Sequence, residues 1–135
     1  MLFRSQSDGS TTYNGTSWRG TLTSLDLSQM YMISVATNGE MTLEGMPIDP
    51  IGNLIIIHPD FNWMAFPLSQ SMTLTDAFTG FVVNGDMVIS QDGGSSTYTN
   101  RWRGTLDVLE PGKGYMYKSA VTSGGRTFTF PASSK

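Results

Sequence analysis

The five residues Trp18-Arg19-Gly20-Thr21-Leu22 occur a second time as Trp102-Arg103-Gly104-Thr105-Leu106, 84 positions further along the chain. Each tryptophan opens a predicted strand that leads to Thr-Leu, so the stretch predicts the same structural element twice. A second copy of a tryptophan-containing pentapeptide therefore raises two interpretations, a duplicated building block and a pair of binding sites.

Residues around the two copies repeat in a common register. Downstream of the tryptophan the spacing is 84, and upstream of it the spacing is 85, so one residue is gained or lost in the intervening turn. The matching pairs are Leu25 with Leu109, Tyr31-Met32 with Tyr115-Met116, Tyr13 with Tyr98, and Ser5-Gln6 with Ser90-Gln91. Several anchors in one register indicate an internal duplication of a unit of about 84 residues.

The register divides the 135-residue chain unequally. Residues 54–135 hold a complete unit, residues 50–53 are a linker, and residues 1–49 match only the second half of a unit. We expect the two portions to pack together, and the half unit favours an origin in a longer array. Unpaired strand edges in the half unit would also allow self-association.

The pattern of apolar residues and turns predicts an all-β fold, an antiparallel β-sandwich or barrel with at most one short helix. Turn residues recur about every eight to twelve positions. Asn84-Gly85-Asp86 predicts a hairpin between residues 81–83 and 87–89, and Met41-Thr42-Leu43 predicts a further strand. The helix is predicted at Leu74–Phe78, with Thr73 as its N-cap.

Composition excludes several classes of partner. Charged residues make up only 14% of the chain and the net charge is −3, so there is no basic surface to attract nucleic acid. The longest apolar runs, of which Leu54-Ile55-Ile56-Ile57 is one, are far too short to cross a membrane. No signal peptide is visible at Met1-Leu2-Phe3-Arg4.

Residues that support catalysis or metal binding are scarce. The chain has no cysteine, and its single histidine, His58, precedes a proline at a strand end. Most carboxylates lie beside glycine or proline in turns, where aspartate caps backbone amides. The sequence therefore predicts no catalytic residues, no metal site and no cofactor.

Aromatic pairs are the remaining candidates for a binding site. The candidate ligand-binding residues are Tyr13, Trp18, Arg19, Tyr98, Trp102 and Arg103. Exposed tryptophans flanked by Ser, Thr and Asn would form platforms on which sugars stack. The alternative places both tryptophans in the core, because tryptophan is largely buried in most proteins, and then the arginines face the solvent.

The order of motifs in the complete unit resembles a known module. Asn62-Trp63-Met64-Ala65-Phe66-Pro67-Leu68 is followed by the second pentapeptide, and then by a segment running from Leu109 through Pro111-Gly112-Lys113-Gly114-Tyr115 to Ser119. This order is similar to repeated β modules near the C-termini of secreted and surface proteins of Bacteroides-type gut bacteria. Residues 1–49 match the latter half of the module, but Leu27-Ser28-Gln29-Met30 replaces its Pro-Gly-Lys-Gly turn.

The resemblance implies an extracellular or cell-surface location, as part of a larger bacterial protein, and supplies no catalytic residues. The expected function is that of a non-catalytic accessory module, adhesin-like, that binds a glycan or a protein partner. The alternatives are a structural spacer without a ligand and, from the enzyme class, a fragment of a glycan-active enzyme.

Overall fold

A computed structural model describes residues 1–26, 28–42, 44–46 and 49–132. In this part of the chain, thirteen strands pair antiparallel and a single α-helix has four residues. The all-β prediction is therefore confirmed. The strands form four separate sheets, none of which closes on itself within the described residues, so the arrangement is sandwich-like.

The half unit forms a four-stranded sheet, which we call the N-terminal sheet. Its strands lie in the order β3-β2-β1-β4. Their bounds are β1 Leu2–Arg4, β2 Ser10–Tyr13, β3 Trp18–Gly20 and β4 Met32–Ser34.

The complete unit contains the other nine strands and the helix. Five strands form the main sheet, in the order β10-β9-β8-β12-β6, and two pairs, β11 with β7 and β13 with β5, form small sheets. The bounds are β5 Ile55–Ile57, β6 Asp60–Ala65, β7 Met72–Thr73, α1 Leu74–Ala77, β8 Met87–Ser90, β9 Ser95–Tyr98, β10 Trp102–Gly104, β11 Val108–Leu109, β12 Gly114–Ser119 and β13 Arg126–Phe128.

The internal duplication is visible in the strand order. The N-terminal order β3-β2-β1-β4 repeats the order β10-β9-β8-β12, and β2 and β9 correspond residue for residue at a spacing of 85. A loop contact also repeats: the Tyr31 hydroxyl accepts from the Asp26 N–H at 2.6 Å, and the Tyr115 hydroxyl accepts from the Glu110 N–H at 2.8 Å. Strand β6, next to β12, has no counterpart in the N-terminal sheet.

One face of the main sheet carries the core. Residues directly opposite each other on neighbouring strands share a face, so Tyr117, Val88 and Ser96 point the same way, and all three are buried. Helix α1 and the β5–β13 pair cover this face. Apolar residues of the buried cluster are Ile55, Ile57, Met64, Phe66, Leu68, Leu74, Ala77, Phe78, Val88, Leu109, Tyr115, Tyr117, Phe128 and Phe130.

The repeated pentapeptide builds a sharp bend at the end of its strand. Gly104 has φ 148°, and a Cβ there would lie 2.1 Å from the Ser95 carbonyl oxygen; Gly20 has φ 152° and the same 2.1 Å approach to Ser10. Beyond each glycine the chain turns, and both following amides donate to that one carbonyl, at 2.9 and 3.3 Å in the second copy. Only glycine fits this position, because any side chain would meet backbone.

The predicted helix is confirmed in position and in its cap. Thr73 precedes α1, and its hydroxyl accepts a hydrogen bond from the Asp76 N–H at 3.1 Å. Leu74 and Ala77 face the core, so this single turn is held by its cap and its buried side.

Two local predictions are wrong. Residues 81–83 form no strand, because the N–H groups of Phe81 and Val82 donate to the Phe78 carbonyl, and β8 pairs instead with β9 and β12. Met41 and Thr42 lie outside the strands, and Leu43 lies outside the described residues. Their counterpart β13 pairs with β5, and no strand among the described residues of the half unit corresponds to β5.

The two portions meet along the outer edge of β6. The Gln6 side-chain amide donates to the Phe61 carbonyl at 2.7 Å and accepts from the Trp63 N–H at 2.6 Å, as a peptide group would. Further along, the Met30 N–H donates to the Trp63 carbonyl at 3.5 Å and the Ser28 carbonyl accepts from the Ala65 N–H at 3.3 Å. Residues of the half unit thus cover the edge that β6 would otherwise leave open.

We expect Gly104→Ala to lower the free energy of unfolding by about 2–4 kcal/mol, because the new methyl group meets the Ser95 carbonyl and the backbone is strained. The control is Gly112→Ala, where φ is 78° but nothing lies within 4 Å of the new Cβ, and a loss of about 1 kcal/mol is expected. Urea unfolding followed by circular dichroism measures both. Equal losses would contradict the close approach at Gly104.

Candidate functional site

Four of the six predicted site residues, the aromatic ones, form two equivalent clusters. Tyr13 lies directly opposite Trp18, and Tyr98 lies directly opposite Trp102, so each pair shares one face of its sheet. The ring centroids are 5.2 Å apart in the first pair and 5.4 Å apart in the second.

The two arginines do not belong to these clusters. Arg19 and Arg103 each follow a tryptophan in a strand and so face the opposite side of the sheet. Both are exposed, and the Arg103 Nε donates to the Thr99 hydroxyl at 3.0 Å. The structure therefore brings together the aromatic residues but not the arginines with them.

Trp102 packs against the core. Its ring lies 5.8 Å from that of Phe78, at the end of helix α1, and the side chain is partly buried. Its indole N–H is buried and has no acceptor among the described residues. Packing rather than polar contact therefore holds Trp102 in place.

Trp18 occupies the equivalent position but remains half-exposed, at 49%. On one side it contacts Tyr13, as Trp102 contacts Tyr98. On the other side its ring contacts that of Phe3 edge-on, with the centroids 5.5 Å apart. The environments differ because no described residue of the half unit forms a counterpart of α1.

A groove lies on this face of the N-terminal sheet. It has a volume of about 420 Å³ and is lined largely by apolar side chains. Residues that line it include Phe3, Thr11, Trp18, Leu22, Ser24 and Leu25. We call it the Trp18 groove.

Phe3, Leu22 and Leu25 line the groove but are not among the site residues predicted from the sequence. The 84-residue register contained the signal, since Leu25 corresponds to Leu109, a fully buried residue of the complete unit. A residue that is buried in the complete unit can be exposed in the half unit, where the segment that would cover it is missing. Such a residue is a candidate for part of an exposed apolar surface.

A second, larger cavity lies between the outer faces of the two sheets. Its volume is about 780 Å³, and its lining includes Leu2, Arg4, Met32, Ile89, Lys113 and Met116. Lys113 already pairs with Glu110 at 2.7 Å and with Asp92 at 3.2 Å. These carboxylates raise the pKa of Lys113.

A cluster of charged and polar side chains surrounds the buried Asp86 of the complete unit. The carboxylate of Asp86, which has no exposed surface, accepts from the Tyr117 hydroxyl, from the Ala120 N–H at 2.7 Å and from Arg126 at 2.9 Å. Burial by itself raises the pKa of Asp86, but these hydrogen bonds outweigh it and the pKa lies below its usual value. Burial, followed by the bond to Asp86, raises the pKa of Tyr117.

The contacts of this cluster are those of a structural ion pair that connects segments of the fold, not those of a catalytic site. The Arg126 guanidinium also donates to the Phe81 carbonyl at 3.1 Å and to the Ser119 hydroxyl at 2.9 Å, and it lies 4.4 Å from the Phe81 ring centroid. The cluster thereby ties the turn before β8 to the ends of β12 and β13.

Within the described residues, no three His, Asp or Glu side chains lie close enough to hold a metal ion. The same part of the chain contains no helix with the length and apolar character needed to cross a bilayer.

Comparison of the chain with protein-family models, with curated proteins and with solved structures gave no match.

We expect Trp102→Ala to cost more stability than Trp18→Ala, by at least about 1 kcal/mol, because Trp102 packs on Phe78 while Trp18 is half-exposed. Urea unfolding of the two variants compares the same substitution at equivalent positions. A larger loss at Trp18 would contradict the open state of the groove.

Asp86→Asn is expected to lower the free energy of unfolding at pH 7 by about 3 kcal/mol, since it removes the buried carboxylate and leaves the partly buried Arg126 without its counter-charge. The folded pKa of Asp86 lies below the unfolded value of about 3.9. Its contribution is therefore complete above that pH and is lost as the pH falls through the folded pKa.

The stability of the Asp86→Asn variant should consequently fall less steeply with decreasing pH than that of the wild-type protein. Asp107→Asn, at an exposed position, is the control and should keep the wild-type acid profile. Thermal melts between pH 2 and pH 7 compare the three proteins, and identical profiles would refute the role of Asp86.

Proposed function

We propose that this chain is a non-catalytic interaction module, and that the Trp18 groove is its binding surface. The observation that carries the proposal is the contrast between two equivalent tryptophans, one packed on Phe78 and one half-exposed beside a groove. Large apolar residues exposed together on one face mark binding surfaces more often than isolated ones do.

The lining of the groove suits a ligand that offers flat apolar surface. Trp18 and Phe3 provide aromatic area, while Thr11 and Ser24 provide hydroxyl groups at the margin. Both a glycan and a protein segment present such surface, since sugars stack on tryptophan and apolar side chains insert between aromatic residues.

A place in a larger secreted or surface protein of a Bacteroides-type bacterium belongs to the same proposal. It is supported by the resemblance of the motif order and by a composition poor in charge and rich in Ser, Thr and Gly. A non-catalytic role is supported by the burial of Asp86 and its full set of hydrogen bonds.

The test follows the indole N–H signals of the three tryptophans by NMR during titration with soluble β-glucan, xylan, mucin and apolar strand-forming peptides. Binding in the groove should shift the Trp18 signal and leave the Trp102 signal unchanged, and Trp18→Ala should abolish the interaction. If no probe shifts the Trp18 signal, the proposal fails and the structural spacer takes its place.

A further inference from the structure

The N-terminal sheet lacks the strand that completes the main sheet. In the complete unit, β6 pairs with β12 from Gly114 opposite Ala65 to Ser119 opposite Asp60. The equivalent strand of the half unit, β4, pairs with β1 on one side and ends the sheet on the other. Among the described residues, no strand pairs with its outer edge.

Hydrogen-bond alternation shows which backbone groups face that edge. The Tyr13 N–H donates to the Met1 carbonyl at 2.9 Å, so Met1 and, two residues on, Phe3 direct their backbone groups towards β2. The backbone groups of Leu2 and Arg4 therefore point towards β4, on the other side of β1.

Leu2 and Arg4 stand opposite Ser34 and Met32. Ile33 lies between these two residues, so its N–H and C=O point to the open edge. In the complete unit the corresponding residue is Tyr117, opposite Asn62 of β6, and its carbonyl also accepts from the Asn62 side chain at 3.2 Å.

The face beside this edge is uncovered as well. Leu25 is 57% exposed and Ile33 is 45% exposed, whereas their counterparts, Leu109 and Tyr117, are 0% exposed. The difference arises because Phe78, which follows α1, covers the complete unit, with its ring 5.1 Å from that of Tyr117. The Trp18 groove is the space that such a segment would fill.

We propose that the occupant of this surface is a polypeptide segment from outside the chain, with the chemistry of residues 60–79. Its strand would add antiparallel to β4 at Ile33, and its aromatic residue, equivalent to Phe78, would enter the groove beside Trp18. This is β-strand addition, in which the backbone supplies affinity and alternate side chains supply specificity. The inference rests on the proposed function in taking the groove as the binding surface.

A second copy of this chain does not suit the role. Its own β6 is paired along its whole length with β12, and the outer edge of that strand is bonded to Gln6 and to Ser28–Met30. To donate β6, the copy would have to break the core of its complete unit.

The probe is a synthetic peptide with the sequence of residues 60–79, added to the isotope-labelled full chain. We expect saturable binding, with hydrogen exchange at the Ile33 amide slowed about tenfold or more and the Trp18 indole signal shifted. The Trp102 signal should not move. A peptide with Ala in place of Phe78 should bind more weakly, because the groove is then left unfilled.

Methylation of backbone nitrogens in the peptide distinguishes strand addition, which needs backbone hydrogen bonds, from adhesion through apolar side chains alone. In β6 the Phe66 N–H donates to the Lys113 carbonyl at 3.1 Å, so Asn62 and Met64, at alternate positions, also face β12. A peptide N-methylated at Asn62 and Met64 should fail to bind. The matched control is N-methylated at Trp63 and Ala65, whose N–H groups face away from β12, and should bind like the parent.

Three results would overturn the proposal. The first is a parent peptide that leaves the Ile33 exchange unchanged at the limit of its solubility. The second is equal binding of both methylated peptides, and the third is protection of Ile33 that grows with protein concentration alone, together with a dimer mass in light scattering. Should a glycan shift the Trp18 signal while the peptide does not, strand addition fails and the interaction module stands.

Discussion

The pairing of β6 with β12 is the interaction on which the rest of the structure depends. It extends the sheet by one strand, and its inward side chains, Asn62 and Met64, complete the buried face. The chain that leaves β6 then returns over this face as α1. Where the pairing exists the core is closed, and where it is absent, beside β4, the same sheet stays open.

The same strand also joins the two portions. Its inner edge belongs to the complete unit, and its outer edge accepts Gln6 and Ser28–Met30 from the half unit. Gly114 permits this contact, because a Cβ there would lie 2.0 Å from the Met30 side chain. Strand β6 is therefore both the last strand of the main sheet and the edge on which the half unit packs. Such stacking of unit on unit is typical of repeat proteins.

Much of the architecture could be predicted from the sequence, because it depends on local signals. The register of the two pentapeptides located the repeated strands, and Thr73 with Asp76 located the only α-helix of the described residues. The hairpin at residues 84–86 could not be predicted correctly. Its turn signal is real, since Gly85 has φ 98°, but the preceding residues satisfy their amides at the end of α1.

The candidate site was harder to predict, because burial depends on a partner that is distant in sequence. Tyr13 and Trp18 were identified from the repeat, whereas Phe3, Leu25 and Ile33 required the structure. Arg19 and Arg103 were grouped with the tryptophans by sequence adjacency, although alternation along a strand places them on the other face.

The sequence by itself determined the duplication, the all-β class and the glycine at each strand end, since each follows from periodicity, propensity or local steric limits. Only the tertiary structure decided how far each of the two tryptophans is buried. The pentapeptides are identical, so nothing within them separates Trp18 from Trp102. The difference comes from Phe78, which a distant strand and helix bring over one copy and not over the other.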